Sequence, residues 1–344
     1  MRVKLGDVCE RGSSNIMQKE IAEHFGPYPI YGASGQIGSV DFYHQDKPYV
    51  AVVKDGAGIG RTMLLPANSS VIGTLQYLLP KETVSPEYLY YVVRYMRLEK
   101  YFSGATIPHI YFKDYKNEEF SLATEAEQDE IVGVLSRVSS IIDMRQKQLT
   151  ELDNLVKARF VEMFGDPVYN TNNLSIKTLN ELGSWNSGGT PSRTNTSYFT
   201  GNIDWYSAGE LNKLYLDGSI EKITEDAINE SSAKLFKAGS MLVGMYDTAA
   251  FKMGILKKNS ASNQACACIE PNELVNIVWL YYALQLMKKH FLSQRRGVRQ
   301  KNLNLGMIKG FEIPVAYKGQ QDEFAAFVAQ VDKSKVVEQK LQPT

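Results

Sequence analysis

The sequence predicts an α/β chain: two similar α+β modules in a pseudo-twofold arrangement, separated by long antiparallel coiled-coil helices. Three observations lead there. The second half of the 344-residue chain repeats the first. Strand-like runs and amphipathic helices mix within each half. A heptad seam runs through the stretch that joins the halves.

The repeat is legible in short matches that keep their order. Leu89-Tyr90-Tyr91 recurs as Leu280-Tyr281-Tyr282, 191 positions later. Glu119-Phe120-Ser121-Leu122-Ala123 recurs in character as Glu312-Ile313-Pro314-Val315-Ala316, 193 positions later. Five residues beyond each stretch stands a Gln-Asp-Glu triplet, Gln128-Asp129-Glu130 and Gln321-Asp322-Glu323. Ile131, Leu135 and Val138 are then echoed by Phe324, Val328 and Val331. Several matches with an offset drifting by only two residues point to duplication. The expected division is a first module over 1–123, a long central helix over 124–165, a second module over 166–316 and a shorter helix over 317–344.

In the first module Tyr49–Val53 and Ser70–Ile72 read as strands, with Gly56, Gly58 and Gly60 turning the chain between them. Pro86–Tyr101 reads as a helix with apolar and aromatic residues along one side. The second module repeats this plan with a strand at Ser240–Val243 and a helix at Trp279–Leu292. Between them, Thr124–Phe164 carries apolar residues at Ile131, Leu135, Val138, Ile142, Leu149, Leu152, Val156 and Met163. Their spacing alternates four and three, interrupted by Arg145 and Arg159. Thr124 with Glu127 forms a capping box at the entry, and Gly165-Asp166-Pro167 stops the helix, which at 1.5 Å per residue is on the order of 60 Å long. So narrow a seam on so long a helix is expected to meet another helix, and the stretch near Gln321 is the natural mate. That mate is shorter, so part of the long helix is expected to face a partner protein.

Composition and motifs exclude more than they assign. Thirty-eight basic residues balance thirty-eight acidic ones, so no global field advertises a polyanion. No apolar run reaches the roughly 18 residues of a membrane span, and the start lacks a signal-peptide pattern; a cytoplasmic protein with no membrane contact is expected. Three cysteines, Cys9, Cys266 and Cys268, suit a reducing compartment and form no disulfide framework. Gly56-Ala57-Gly58-Ile59-Gly60-Arg61-Thr62 has the wrong glycine spacing for a P-loop and lacks its lysine, so it reads as a turn. Gly32-Ala33-Ser34-Gly35 fails the nucleophile-elbow spacing at Gln36. Cys266-Ala267-Cys268 fits no zinc ribbon, and four scattered histidines build no metal site, so no metal is expected. There is no Pro-Pro or Pro-Asp dipeptide, which counts against an amino-methyltransferase or a metal-dependent nuclease. No catalytic residue is assigned.

Charge is nevertheless uneven. Leu274 to Phe311 contains no Asp or Glu, yet holds Lys288, Lys289, Arg295, Arg296, Arg299, Lys301 and Lys309. Such a stretch can be a plain solvated face, but Arg299-Gln300-Lys301 places an adenine-reading amide between guanine-reading cations. The first half carries a milder version, from Ser103 through Thr106, His109 and Tyr111 to Lys113. Two such basic modules on a rigid spacer could read two half-sites about one helical turn apart. A polar loop, Ser187 to Arg193, offers Gly188, Thr190, Ser192 and Arg193 for phosphate or base contacts; as structure alone it is a turn. The DNA-contact candidates are therefore Thr106, His109, Tyr111, Lys113, Gly188, Thr190, Ser192, Arg193, Arg295, Arg296, Arg299, Gln300 and Lys301. The candidates for the helix seam and partner docking are Ile131, Leu135, Val138, Ile142, Leu149, Leu152, Val156, Phe324, Val328 and Val331.

Read together, these segments resemble the specificity subunits of type I restriction–modification systems. Gly188-Gly189-Thr190-Pro191-Ser192-Arg193, Tyr198-Phe199, Gly201-Asn202-Ile203-Asp204-Trp205 and Gly209-Glu210-Leu211 are similar to the opening of one recognition-domain type. Tyr28–Gly38 followed by Lys54-Asp55-Gly56-Ala57 looks like another. Gln128 and the stretch from Lys157 to Pro167 also match the family, so the resemblance spans nearly the whole chain. It implies a non-catalytic subunit whose two target-recognition domains each read one part of a split double-stranded DNA target. It implies helices that set the gap and hold two methyltransferase subunits, with restriction/translocase subunits completing the complex. S-adenosylmethionine, ATP and Mg would then sit on those partners and no cofactor on this chain. The short final helix departs from the family pattern. A specificity chain of another DNA-modifying defence system and a protein-interaction scaffold are the alternative readings.

Overall fold

The computed structural model describes residues 1–104, 107–294 and 302–340. The chain divides into two compact units, Met1–Asp143 and Met144–Thr344, the division falling inside the long helix. Each unit thus owns a module and one part of that helix.

In the first unit a four-stranded antiparallel sheet runs in the order Cys9–Ser13, Leu75–Pro80, Tyr49–Val53, Thr62–Leu65. Tyr49–Val53 is buried at every position, as expected of a β-branched strand covered on both faces. One face packs with Leu5, Val8, Leu89, Val93 and Ile110, and the other with Ile30, Val40, Val71 and Leu75. The chain turns from Tyr49–Val53 into Thr62–Leu65 through Gly56 (φ +92°) and Gly60 (φ +80°), a left-handed backbone that glycine adopts without strain. A smaller sheet of Gly35–Val40, Tyr28–Gly32 and Ser70–Val71 lies on this core, and Arg2–Lys4 pairs with Glu119–Ser121. The module helix starts at Pro86, with Ser85 as its N-cap accepting from Tyr88 N at 3.2 Å. It ends at Met96, short of the expected Tyr101, because Arg97 takes a left-handed conformation (φ +50°) and Leu98–Tyr101 forms a separate 3₁₀ turn.

The second unit repeats the frame. Gly183–Ser187, Cys266–Pro271, Met241–Gly244, Met253–Leu256 and Tyr215–Leu216 form its main sheet, and Glu221–Ile223, Ile203–Tyr206 and Ala261–Ser262 the smaller one. Ser175–Thr178 pairs with Glu312–Val315. Its module helix, Ile277–Ser293, is capped by Asn276.

The long helix spans Glu125–Phe164. Thr124 N donates to Glu127 Oε2 at 2.8 Å, and Gly165 (φ +76°) closes the far end. The C-terminal helix, Lys318–Lys340, packs antiparallel on the later part of the long helix within the second unit. Arg159 meets Glu323 at 3.6 Å, while Asp153, earlier on the long helix, meets Lys335, later on the other, at 2.6 Å. Phe160, Phe164, Phe324 and Trp279 interlock between them, with ring centroids 4.9–5.9 Å apart.

The heptad seam therefore divides into two kinds of surface. Val156, Phe324, Val328 and Val331 are buried in the second unit's own core, and Leu152 packs against it. These positions form the expected seam between the long helix and the one that starts near Gln321, and being buried there they are not open to a partner protein. Leu149 and Ile142 are half-buried. Ile131, Leu135 and Val138, in the first unit, are exposed.

Candidate DNA-reading edges and a helix-lined groove

The candidate surface of the first unit gathers where the chain leaves its module helix and returns across the glycine turn. Lys54 and Asp55 begin that turn, and their amides donate to Thr74 O at 3.0 and 3.3 Å. The incoming chain is tied to it: Gly56 N donates to Pro108 O at 3.0 Å and Ile110 N to Lys54 O at 2.9 Å. Ser103 and His109 exchange both backbone hydrogen bonds at 2.8 Å, closing the loop at its base. His109 Nδ1 lies 2.6 Å from Asp55 Oδ1, and Lys54 Nζ is 3.7 Å from the same carboxylate. The His109 ring stacks on Tyr111, and Lys113 sits over the other ring at 5.4 Å. His109, Tyr111 and Lys113 are thus brought together; Thr106 lies outside the described residues.

The second unit uses the same tie. Met245 N donates to Ala265 O at 2.9 Å and Leu303 N to Met245 O at 2.8 Å, matching the bonds of Lys54 and Ile110. Asp247 N donates to Asn302 Oδ1 at 2.9 Å. Arg295, Arg296, Arg299, Gln300 and Lys301 lie outside the described residues.

The glycine-rich candidates of the second unit are occupied by the fold. Gly188 and Gly189 are buried, and a Cβ would come within 2.3 Å of Ser262 O at the first and 1.9 Å of Ser232 O at the second. Their small size serves backbone packing, so Gly188 is not open to a phosphate. Arg193 forms a two-pronged pair with Glu221, at 2.5 and 2.8 Å, and lies over Phe199 and Trp205. Thr190 donates to Gln264 and Ser192 pairs with Thr194 at 2.8 Å. Arg193, Thr190 and Ser192 thus brace this loop.

Two features were missed in the sequence. Lys54 and Asp55 were noted only within a family-like segment and given no contact role, because nothing local shows that residue 109 returns to them. A groove of about 1190 Å³ in the first unit is the other: Tyr91, Val92, Tyr95 and Met96 of the module helix face Ile131, Leu135 and Val138 of the long helix, and Arg94, Arg97, Lys100, Glu118 and Glu119 also line it.

Comparison with known proteins decides the family. The model of the type I restriction modification DNA specificity domain matches residues 1–154 and again 172–342. The chain belongs to this family. It is 25% identical over 227 residues to the EcoR124I/EcoR124II specificity subunit of Escherichia coli, covering 63% of this chain and 54% of that one. It is 25% identical over 162 residues to the MjaIX specificity subunit of Methanocaldococcus jannaschii, covering 46% and 37%. The chain spans about half the length, or less, of these curated relatives. Its fold is that of the S subunit of a type I restriction–modification system from M. genitalium, with a TM-score of 0.63 at 15% identity over 99% of this chain and 91% of that one. A chain from a structure describing complex assembly and conformational transition of a type I system aligns at a TM-score of 0.54 and 16% identity, over 99% and 92%. The duplicated specificity domain and the internal repeat are the same feature. Among the described residues, no helix is long and apolar enough to cross a membrane.

Proposed function

We propose that this chain is a non-catalytic specificity subunit that reads a split target on double-stranded DNA, one part with each unit. The observation that carries this is the repetition of one backbone tie with different chemistry on it. Ile110 to Lys54 and Leu303 to Met245 fix the same returning strand at the same turn. The side chains set there differ: His109, Tyr111 and Lys113 in one unit, and Asn302 in the other. One frame with two sets of edge residues suits two different half-sites.

The exposed seam, Ile131, Leu135 and Val138, and the groove beside it are the proposed seat of a methyltransferase subunit. An exposed apolar stripe edged by charged groups of both signs is the composition of an interaction surface. Adenine methylation with S-adenosylmethionine, and ATP- and Mg-dependent restriction, belong in this proposal to partner subunits. The test is mapping of methylated adenines in a host that expresses the full chain with a methyltransferase subunit that co-purifies with it. Methylation confined to a motif of two fixed parts around an unspecified gap supports the proposal. An active methyltransferase whose motif ignores this chain refutes it, and favours a protein-binding scaffold.

A further inference from the structure

We infer that Asp55 is a positioning residue that sets which base His109 accepts, by fixing the protons of its ring; this rests on the DNA-reading proposal above. The imidazole and the carboxylate meet at 2.6 Å. A carboxylate carries no proton to give at neutral pH, so Nδ1 must be the donor. In the neutral ring Nε2 is then an acceptor, and only that edge remains for a ligand. An acceptor at a base edge in the major groove selects an exocyclic amino group, adenine N6 or cytosine N4, over the O6 and N7 of guanine or O4 of thymine.

The surroundings support a held, reachable ring. The His109 side chain is 34% exposed and that of Asp55 29% exposed. Asp55 is itself fixed by its amide bond to Thr74 O, and the backbone on either side of His109 is tied down through Pro108 and Ile110. Lys54 beside the carboxylate offsets a charge that would otherwise oppose a phosphate backbone. In the second unit Asn302 occupies the matching position and bonds the Asp247 amide, so no ring and no tautomer is involved. The two units would therefore respond differently to loss of a carboxylate at this place.

The experiment is selection of bound sequences from a randomised duplex pool by the full chain, comparing wild type with Asp55→Asn, Asp55→Glu and His109→Ala. An amide can donate to Nδ1 as well as accept from it, so Asp55→Asn frees the ring to take either tautomer. We expect it to reduce discrimination between amino-bearing and carbonyl-bearing bases roughly ten-fold at one position of one target part. Asp55→Glu should retain most of that preference, His109→Ala should abolish it at the same position, and the other target part should not change. An unchanged base preference in Asp55→Asn, or a uniform loss of affinity with the profile intact, would overturn the inference. So would an unaltered profile in His109→Ala while the wild type still selects a two-part sequence. If the wild type selects no sequence at all, the DNA-reading proposal itself fails.

Discussion

Gln128 and Gln321 make the same three hydrogen bonds in the two units. Gln128 Oε1 accepts from Ser85 N at 3.0 Å, and its Nε2 donates to Thr83 O at 2.9 Å and Ala123 O at 3.1 Å. Gln321 Oε1 accepts from Asn276 N at 2.8 Å, and its Nε2 donates to Leu274 O at 3.1 Å and Ala316 O at 2.8 Å. Both side chains are buried. Each therefore joins the N-cap of a module helix to the strand exit before a spacer helix, and so sets how that helix leaves its module. Removing either amide leaves a half-buried N–H and two carbonyls without these partners. Gln128→Ala and Gln321→Ala should each cost about 1–3 kcal/mol, measured by chemical denaturation of the full chain.

The divided seam predicts opposite outcomes for two similar truncations. Phe160 is enclosed by Phe164, Phe324 and Trp279, so Phe160→Ala should destabilise the chain by about 3–5 kcal/mol. Leu135 is exposed in the groove, so Leu135→Ala should fall within about 0.5 kcal/mol of wild type. Its effect should appear instead as weaker retention of a co-purifying methyltransferase subunit. Parallel thermal unfolding and pull-down distinguish the two.

Asp204 makes unit stability depend on acid. Its side chain is fully buried, which works against its charge, but the Lys258 ammonium 2.8 Å away and the bond from Ser219 at 3.2 Å outweigh burial and hold the carboxyl below its usual range. A carboxyl depressed by folding stabilises the fold above its unfolded value of about 3.9, and that contribution is lost as pH falls through the folded value. Lys258→Met should therefore destabilise the chain at pH 7 by more than the ~0–1 kcal/mol of a surface ion pair. The difference from wild type should shrink below about pH 4. A constant difference across that range would show that packing, and not charge, carries it.

The cysteines should be inert in the native chain. Burial pushes the thiols of Cys9 and Cys266 up to about 12, and raises that of Cys268 as well. The thiolate is the reactive form, so little is present at pH 8. Iodoacetamide at that pH should leave all three unmodified until denaturant is added, as read by intact mass.

The duplication and the main secondary structure were legible in the sequence because they rest on local pattern. The matched triplets at Gln128 and Gln321, the buried run Tyr49–Val53 and the Thr124–Glu127 capping box each carry their signal within a few residues. The end of the first module helix was misplaced because a left-handed Arg97 has no such signal; a glycine there would have announced it. Arg193 looked available because sequence cannot show that Glu221 and Trp205 meet it. The bond between Asp55 and His109 was hidden for the same reason, the two standing 54 positions apart. The contacts that define the candidate surface are long-range, whereas periodicity reports only on neighbours.

The central claim is that each unit reads its own part of one DNA target. The most direct measurement is selection from a randomised duplex pool by the full chain, by His109→Ala and by Arg299→Ala, the latter in the acid-free run of the second half. The wild type should select two fixed parts separated by an unspecified gap. Each variant should relax one position of a different part by about 1–3 kcal/mol and leave the other part intact. A single unbroken target, or both variants relaxing the same part, would contradict the account.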